Sequence, residues 1–395
     1  MCRYHSAVRT DARFGATFAA LFLLNLVLGL MVTVKGPVVP ALLGHFCATK
    51  TDIGVMLALV TVGGAVSVLI GGWLTDALGP RTVFVLGLVL SCASFALFAV
   101  GRSMIIGHIL MFFMGAGAGL IQGASNGFVL ALRGQRALAL INISQFFFGI
   151  GAILGPLLAG LLLRHGYAWQ TSFEVTAFSV AMCAPLLLAF RRAPSSPECK
   201  PPLSLLRCPA FLFFGLVGMV YITLELGISE WIASLLIGYF GMDAGFAASW
   251  SSLFWGGIAA GRFGTGVYLS HVEPRRLLFG AACAVPPSLV VLITTSSKTL
   301  ALVAIALCGL ALAPIFPTLL GMTGAAARRN EGGAAGIVVA ISVLGASVLR
   351  PLMAALASRT SLVTGFTFFL ALSLFMCVMT FRAGRQKIQK HGGSK

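Results

Sequence analysis

Long apolar runs alternate with short polar breaks along almost the whole chain. Twelve runs can be marked, at 14–38, 52–73, 81–100, 104–131, 137–163, 168–190, 210–237, 246–269, 275–295, 299–325, 333–357 and 361–382. A helix needs about 20 apolar residues to cross the hydrocarbon core of a bilayer, and each run reaches that length. Strands of a membrane barrel would be shorter and would alternate apolar with polar residues, and these runs do neither. The pattern predicts an all-α membrane protein with twelve transmembrane helices. The first run has no small-residue cleavage site behind it and reads as a retained anchor.

Composition narrows the class further. Of the 395 residues, 58% are hydrophobic and 9% charged, against about 25% charged in an ordinary soluble domain. A soluble enzyme, a nucleic-acid-binding domain and a disordered chain are excluded on that ground. The net charge of +17 then has another meaning: basic loops held on one side of a membrane. With the N-terminus cytoplasmic, the tails and the loops on that side carry 19 Lys and Arg, the opposite side 5, and 3 (Lys35, Arg262 and Arg350) fall inside spans. That bias predicts both termini in the cytoplasm, and short loops in a compact chain suggest the plasma membrane of a bacterium, its inner membrane. The longest polar stretch, 191–209, is rich in Pro, Ser and charge. It reads as a cytoplasmic linker between a six-helix bundle over 1–190 and a second over 210–395 with its basic tail.

The halves repeat one another. At an offset of 194 residues, Gly72, Asp76, Pro80 and Arg81 fall on Gly266, Ser270, Pro274 and Arg275. At an offset of 195, Leu154-Gly155-Pro156-Leu157 falls on Leu349-Arg350-Pro351-Leu352. Two like halves around a central cavity are what alternating access requires, with the solute held near the midplane.

The loop after the second run reads Gly72-Trp73-Leu74-Thr75-Asp76-Ala77-Leu78-Gly79-Pro80-Arg81. It resembles the G-x-L-x-D-x-x-G-R-[K/R] signature of the major facilitator superfamily, with Pro80 in place of the first basic residue. In that family's fold Asp76 and Arg81 would bias one state of the carrier against the other through charge-assisted bonds. Ser270 replaces the acid in the second copy, so the matching latch is expected to be weaker. Further stretches are similar to the fucose/galactose/glucose–proton symporter family within it. These are Tyr221 to Trp231 in the seventh span, Trp255-Gly256-Gly257 with Gly261-Arg262 in the eighth, Asn142 and Gln145 with Gly155-Pro156 in the fifth, and Phe316-Pro317-Thr318 in the tenth. The resemblance implies a sugar-like solute. Two departures accompany it. An Asn-Asp pair expected late in the first span is Lys35-Gly36 here, and a Glu expected in the fourth span is Gln122, ahead of Ser125-Asn126-Gly127. Both acids that the family links to proton coupling are thus replaced.

An ionisable side chain inside a span costs about 2.5–3.5 kcal/mol on insertion scales and should face a cavity or a partner. Lys35, Glu225, Glu230 and Arg350 are the candidates. At the 195-residue offset Lys35 falls on Glu230, so the two are expected at similar depth, one in each half. They either face one another as a gate or substrate contact, or snorkel separately to the headgroups. Glu225 reads as a coupling residue or an acceptor for sugar hydroxyls; a structural pair with Arg350 or Arg262 is the alternative. Arg350 either holds an anionic solute or neutralises Glu225. Gln122, Asn126, Asn142 and Gln145 are amides that both donate and accept, as recognition of hydroxyls requires. Trp231 and Trp255 could stack on a sugar face or simply pack.

No phosphate-binding loop of the G-x-x-x-x-G-K-[S/T] type and no H-E-x-x-H is present, so neither an ATP-driven pump nor a metal enzyme is indicated. No cofactor is expected beyond a coupling ion, H⁺ or Na⁺. The expectation is a monomeric secondary transporter moving a small polar solute between lipid-bounded compartments, with no nucleic acid as partner. An efflux carrier for drugs or organic anions is the rival, favoured if Phe146, Phe147 and methionines line the cavity. A non-transporting membrane sensor is a third reading.

Overall fold

A computed structural model describes residues 12–131, 135–190, 208–268, 272–327 and 331–385. Fifteen helices run α1 (Ala12–Thr33), α2 (Val39–His45), α3 (Lys50–Leu78), α4 (Pro80–Val100), α5 (Met104–Ala131), α6 (Gln135–Arg164), α7 (Trp169–Ala181), α8 (Pro209–Gly238), α9 (Ala244–Trp250), α10 (Ser252–Tyr268), α11 (Pro274–Thr294), α12 (Lys298–Leu312), α13 (Ile315–Ala327), α14 (Glu331–Arg359) and α15 (Leu362–Arg385). The described residues contain no strand. Eleven stretches are long and apolar enough to cross a membrane. The eighth expected span is divided instead, between α9 and α10 at Ser251, whose hydroxyl turns back to the Ala248 carbonyl at 2.6 Å.

Local chemistry explains the other interruptions. Pro37 and Pro40 follow the end of α1 and set a short 3₁₀ turn, Gly36–Val38, before α2; proline lacks the N–H that a continuous helix would use. The first span therefore reaches His45, beyond the expected 38. Pro185 ends the regular part of the sixth span and Pro314 separates α12 from α13. Thr49 and Asp52 cap α3 reciprocally, the Thr49 N–H donating to Asp52 at 2.9 Å and the Asp52 N–H to Thr49 at 3.2 Å. Gly79, at φ 82°, makes the single-residue corner between α3 and α4, and Pro80 opens the next helix. The left-handed conformation explains the glycine in that loop motif.

The helix contacts repeat as the sequence does. In the first half α1 packs on α6, α3 on α5 and α4 on α7; in the second α8 packs on α14, α10 on α12 and α11 on α15. The closest seams are glycine against main chain. A Cβ on Gly63 would strike the Phe112 carbonyl, and one on Gly115 the Val60 carbonyl. In the second half Gly257 meets the Ala306 carbonyl and Gly309 the Phe254 carbonyl. All four positions in the first seam are 194 residues from their counterparts in the second. Small residues allow helices in lipid to approach to backbone contact, where dispersion rather than the hydrophobic effect holds them.

The two halves meet mainly through α3 with α14, α6 with α9 and α10, and the turn after α1 with α8. Call the side where α1 begins and α15 ends the near side. At the far side Lys50 Nζ donates to the Ala357 carbonyl at 3.0 Å, and the Thr51 N–H and hydroxyl reach Ser358 Oγ at 3.0 and 3.1 Å. Arg164, at the far end of α6, lies over the Phe246 ring at 4.2 Å. Side-chain hydrogen bonds thus join the halves at this side, together with close glycine contacts between α6 and α9, where a Cβ on Gly160 would meet the Ser249 backbone and one on Gly245 the Arg164 backbone.

The seams predict an asymmetry among glycines. Gly115→Ala should destabilise the folded protein by about 1–3 kcal/mol, as overpacking does. Gly280→Ala, with nothing within 4 Å of the added carbon, should stay within about 1 kcal/mol of the parent and gain helix propensity. Thermal unfolding in detergent measures both.

Candidate functional site

A small enclosed cavity of about 50 Å³ lies between the halves, lined from α1, α3, α5, α8 and α10 and from the turn that follows α1. Its walls contain repeat-related pairs: Met31 with Leu226 and Lys35 with Glu230 at the 195-residue offset, Thr61 with Trp255 at 194. Residues related by the repeat can line one cavity only if it sits at the pseudo-twofold axis. The cavity is therefore central to the architecture. A larger groove of about 860 Å³ between α10, α11 and α12 is bounded by the second half alone.

The charged cluster beside the cavity bridges the halves. Arg350, on α14, is 2% exposed; its guanidinium donates to Glu230 of α8 and to Thr61 Oγ1 of α3. A guanidinium can serve two acceptors in different directions, which an ammonium on a flexible stem does less well. Thr61 belongs to the first half and Glu230 to the second, so this one side chain ties the bundles at mid-depth. Gly36 fits directly against the α8 backbone, an added Cβ lying 2.8 Å from the Ser229 carbonyl and 3.0 Å from Glu230 Cα. The helix break at Lys35-Gly36 is thereby wedged beside Glu230. Trp255 Nε1 donates to Ser229 Oγ at 2.7 Å.

A second polar layer lies about 7 Å nearer the near side, by the helical rise from residue 230 to 225. Tyr221 Oη donates to Glu225 Oε1 at 2.6 Å and Arg262 Nη2 to the same oxygen at 3.1 Å. Phe316 stacks on Tyr221 with centroids 5.4 Å apart. In the first half Gln122 donates to Asn126 at 3.3 Å, and Asn25 reaches Ser125 at 3.5 Å. Gln122 falls on the same face of α5 as the cavity-lining Met114 and Ala118, at four-residue spacing.

Several expectations change against this geometry. Lys35 and Glu230 both line the cavity, yet the partner of Glu230 is Arg350, and Lys35 Nζ turns back to the Met31 carbonyl and lies 5.7 Å from the Phe95 ring centroid. Lys35 does not snorkel either: it is 5% exposed. Arg350 neutralises Glu230, five residues beyond the expected Glu225, and Glu225 takes Arg262. Trp231, at 1% exposed, is packed in the core and does not line the cavity; Trp255 does. Gln122, Asn126 and Gln145 are half-buried outside the cavity wall. Phe147 stacks on Phe22 at 5.1 Å and Phe146 is exposed, so neither lines it. Arg81 is exposed at the start of α4. The side chains of Asp76 and Asn142, and residues 191–207 of the linker, lie outside the described residues. Thr61 and Ser229 were not singled out by sequence reasoning. The signal was present for Thr61, which stands 194 residues before Trp255.

The description of the family model that matches residues 21–325 is Major Facilitator Superfamily. The chain belongs to that superfamily. Its members are membrane transporters, not enzymes. Among relatives, the glucose/galactose transporter of Brucella abortus is 22% identical over 382 residues, covering 89% of this chain and 90% of the relative. A TsgA homolog of Serratia proteamaculans is 20% identical over 371 residues, covering 89% and 91%. The crystal structure of a D-xylose–proton symporter matches with a TM-score of 0.79 at 14% identity, covering 94% of this chain and 98% of that one.

The Arg350–Glu230 bridge predicts non-additive stability. Glu230→Leu or Arg350→Met alone leaves one buried charge unmatched and should cost on the order of 3 kcal/mol, whereas the double variant should recover most of that loss. A double-mutant cycle of unfolding midpoints in detergent gives the coupling; additive losses would show that the two groups do not act as a pair.

Proposed function

We propose that this transporter moves a small hydroxylated, sugar-like solute by alternating access, driven by an ion gradient. The observation that carries the reading is the cavity lined by repeat-related residues and bridged by Arg350. The glucose/galactose transporter name of the Brucella abortus relative supports the solute class. In this reading both termini are cytoplasmic, so the far side is the outer side. The contacts from Lys50, Thr51 and Arg350 across the halves then hold the outside closed. Rocking the bundles apart there breaks side-chain hydrogen bonds and parts Gly160 and Gly245 from the facing backbone, while leaving the glycine seams inside each half intact. The chain acts as a monomer in the inner membrane of a bacterium.

The coupling role falls to Glu225. The family's acids of the first and fourth spans are absent, and Glu225 lies on the inner side of the cavity with both Tyr221 and Arg262 on one oxygen. Protonation of Glu225 removes the charge that holds Arg262; loss of the proton restores the pair. Each transport cycle then carries a proton with the solute, and the second carboxylate, Glu230, stays committed to the bridge. A wet site supplies the proton path that a lipid-facing carboxylate would lack.

Two measurements test this reading. Glu225→Gln should abolish proton-driven accumulation in proteoliposomes while solute counterflow persists; accumulation that survives rules out the coupling role. Cysteines placed at Thr51 and Ser358, in a background lacking the native nine cysteines, should form a disulfide because the two hydroxyls already lie 3.1 Å apart. Oxidation should then stop exchange across the membrane, and reduction should restore it. Full transport by the cross-linked protein would refute opening at this side.

A further inference from the structure

The charges around the central cavity do not balance. Lys35 and Glu230 line it, and Arg350 flanks it as the partner of Glu230, so two basic groups stand against one acid. Glu230 is already matched by Arg350. Lys35, buried at the break after α1, has the Met31 carbonyl and the Phe95 ring as its partners and no carboxylate of its own. The pair below, Glu225 with Arg262, is neutral as a unit and adds nothing to the sum. One basic group is left over at the axis of the molecule without an acid to match it.

Unfinished hydrogen bonding lies in the same place. Glu230 Oε2 and Arg350 Nε are buried and have no partner among the described residues. The first is an acceptor seeking a donor, and the second is a donor seeking an acceptor. Thr33, Thr61 and Ser229 add hydroxyl-bearing side chains to the cavity wall. A neutral sugar would answer Glu230 through a hydroxyl and would leave the ammonium of Lys35 uncompensated. A solute with both a carboxylate and hydroxyls answers both. Its carboxylate complements the excess charge, and a hydroxyl donates to Glu230.

We propose that the transported solute is a small polyhydroxy acid in its anionic form, such as an aldonate or uronate, with Lys35 as the residue that selects for the carboxylate. This rests on the transporter reading above and specifies its solute. In the closed arrangement the cavity is smaller than such a solute, so the anion enters as the bundles separate. Lys35 then swings from the Met31 carbonyl toward it. The side chain sits on the turn where α1 breaks, so the movement needs no unwinding of a helix. In the family pattern that the first span resembles, Gly36 stands in place of the acid and Lys35 in place of the amide before it, so this turn offers the solute a basic group where the pattern has an acidic one.

Binding to the purified full-length protein in detergent, by calorimetry, tests the proposal with glucose, gluconate, glucuronate and lactate. Gluconate or glucuronate should bind at least about tenfold more tightly than glucose, the worth of one charge-assisted contact. Lys35→Gln should erase that preference with glucose affinity changed less than about threefold, and Lys35→Arg should retain it, which separates a lost charge from a lost fold. Glucose binding as tightly as the acids, or a preference that survives Lys35→Gln, overturns the inference and leaves the sugar-transport reading standing. Lactate binding as well as gluconate would keep the carboxylate but remove the need for several hydroxyls, contradicting the polyhydroxy class. Binding of none of the four would overturn both readings.

Discussion

A charge in hydrocarbon has to be answered within the protein, and this structure is organised around one answer. Arg350 is buried at the centre of the molecule and is held by Glu230 from its own half and Thr61 from the other. The desolvation of Arg350 and Glu230 is tolerable there because the cavity lies beside them and because each half contributes a share of the polar contacts. The same bridge fixes the relative depth of α3, α8 and α14. The helix break at Gly36 then fits against α8, and the ends of α3 and α14 come within hydrogen-bonding distance. The central cavity and the contacts between the bundles are therefore linked through one guanidinium.

The division of labour between contact types follows from the bilayer as solvent. Within each half, α3 with α5 and α10 with α12 meet through glycine and main-chain carbonyls. Such seams are dry, close and intolerant of added volume. Between the halves, the far-side contacts are Lys50, Thr51 and Ser358 hydrogen bonds and a ring beneath Arg164. Each of these is worth about a kilocalorie per mole in net terms. These bonds exchange without disturbing the seams inside either half, although Gly36, Gly160 and Gly245 also bring main chain of the two halves into close contact.

Much of the fold was legible because apolar length is a one-dimensional property. The runs marked in the sequence match the helices, apart from the extension of the first span to His45, the end of regular helix at Ala181 in the sixth, and the divisions of the eighth at Ser251 and the tenth at Pro314. The duplication was visible at Gly72 and Gly155, yet its clearest expression, Gly63 with Gly257 and Gly115 with Gly309, emerges only when the seams are known. The site was less legible. Depth along a helix can be read from the sequence, so Lys35 and Glu230 fall at one level as expected. Rotation about the helix and the reach of a long side chain cannot, and they decide that Arg350 selects Glu230 over Glu225. For the same reason Trp231 and Trp255 looked alike in sequence, whereas one is packed away and the other faces the cavity.

The glycine seams also bear on how such a molecule can change over evolutionary time. Because main chain meets main chain there, the shape of each half depends little on which side chains point at the axis. Cavity-wall residues such as Val32 and Ala118 can be exchanged without redrawing the scaffold. A lineage built this way can acquire new cargo by altering a few inward-facing positions, while any enlargement of a seam glycine is removed by selection before cargo becomes relevant.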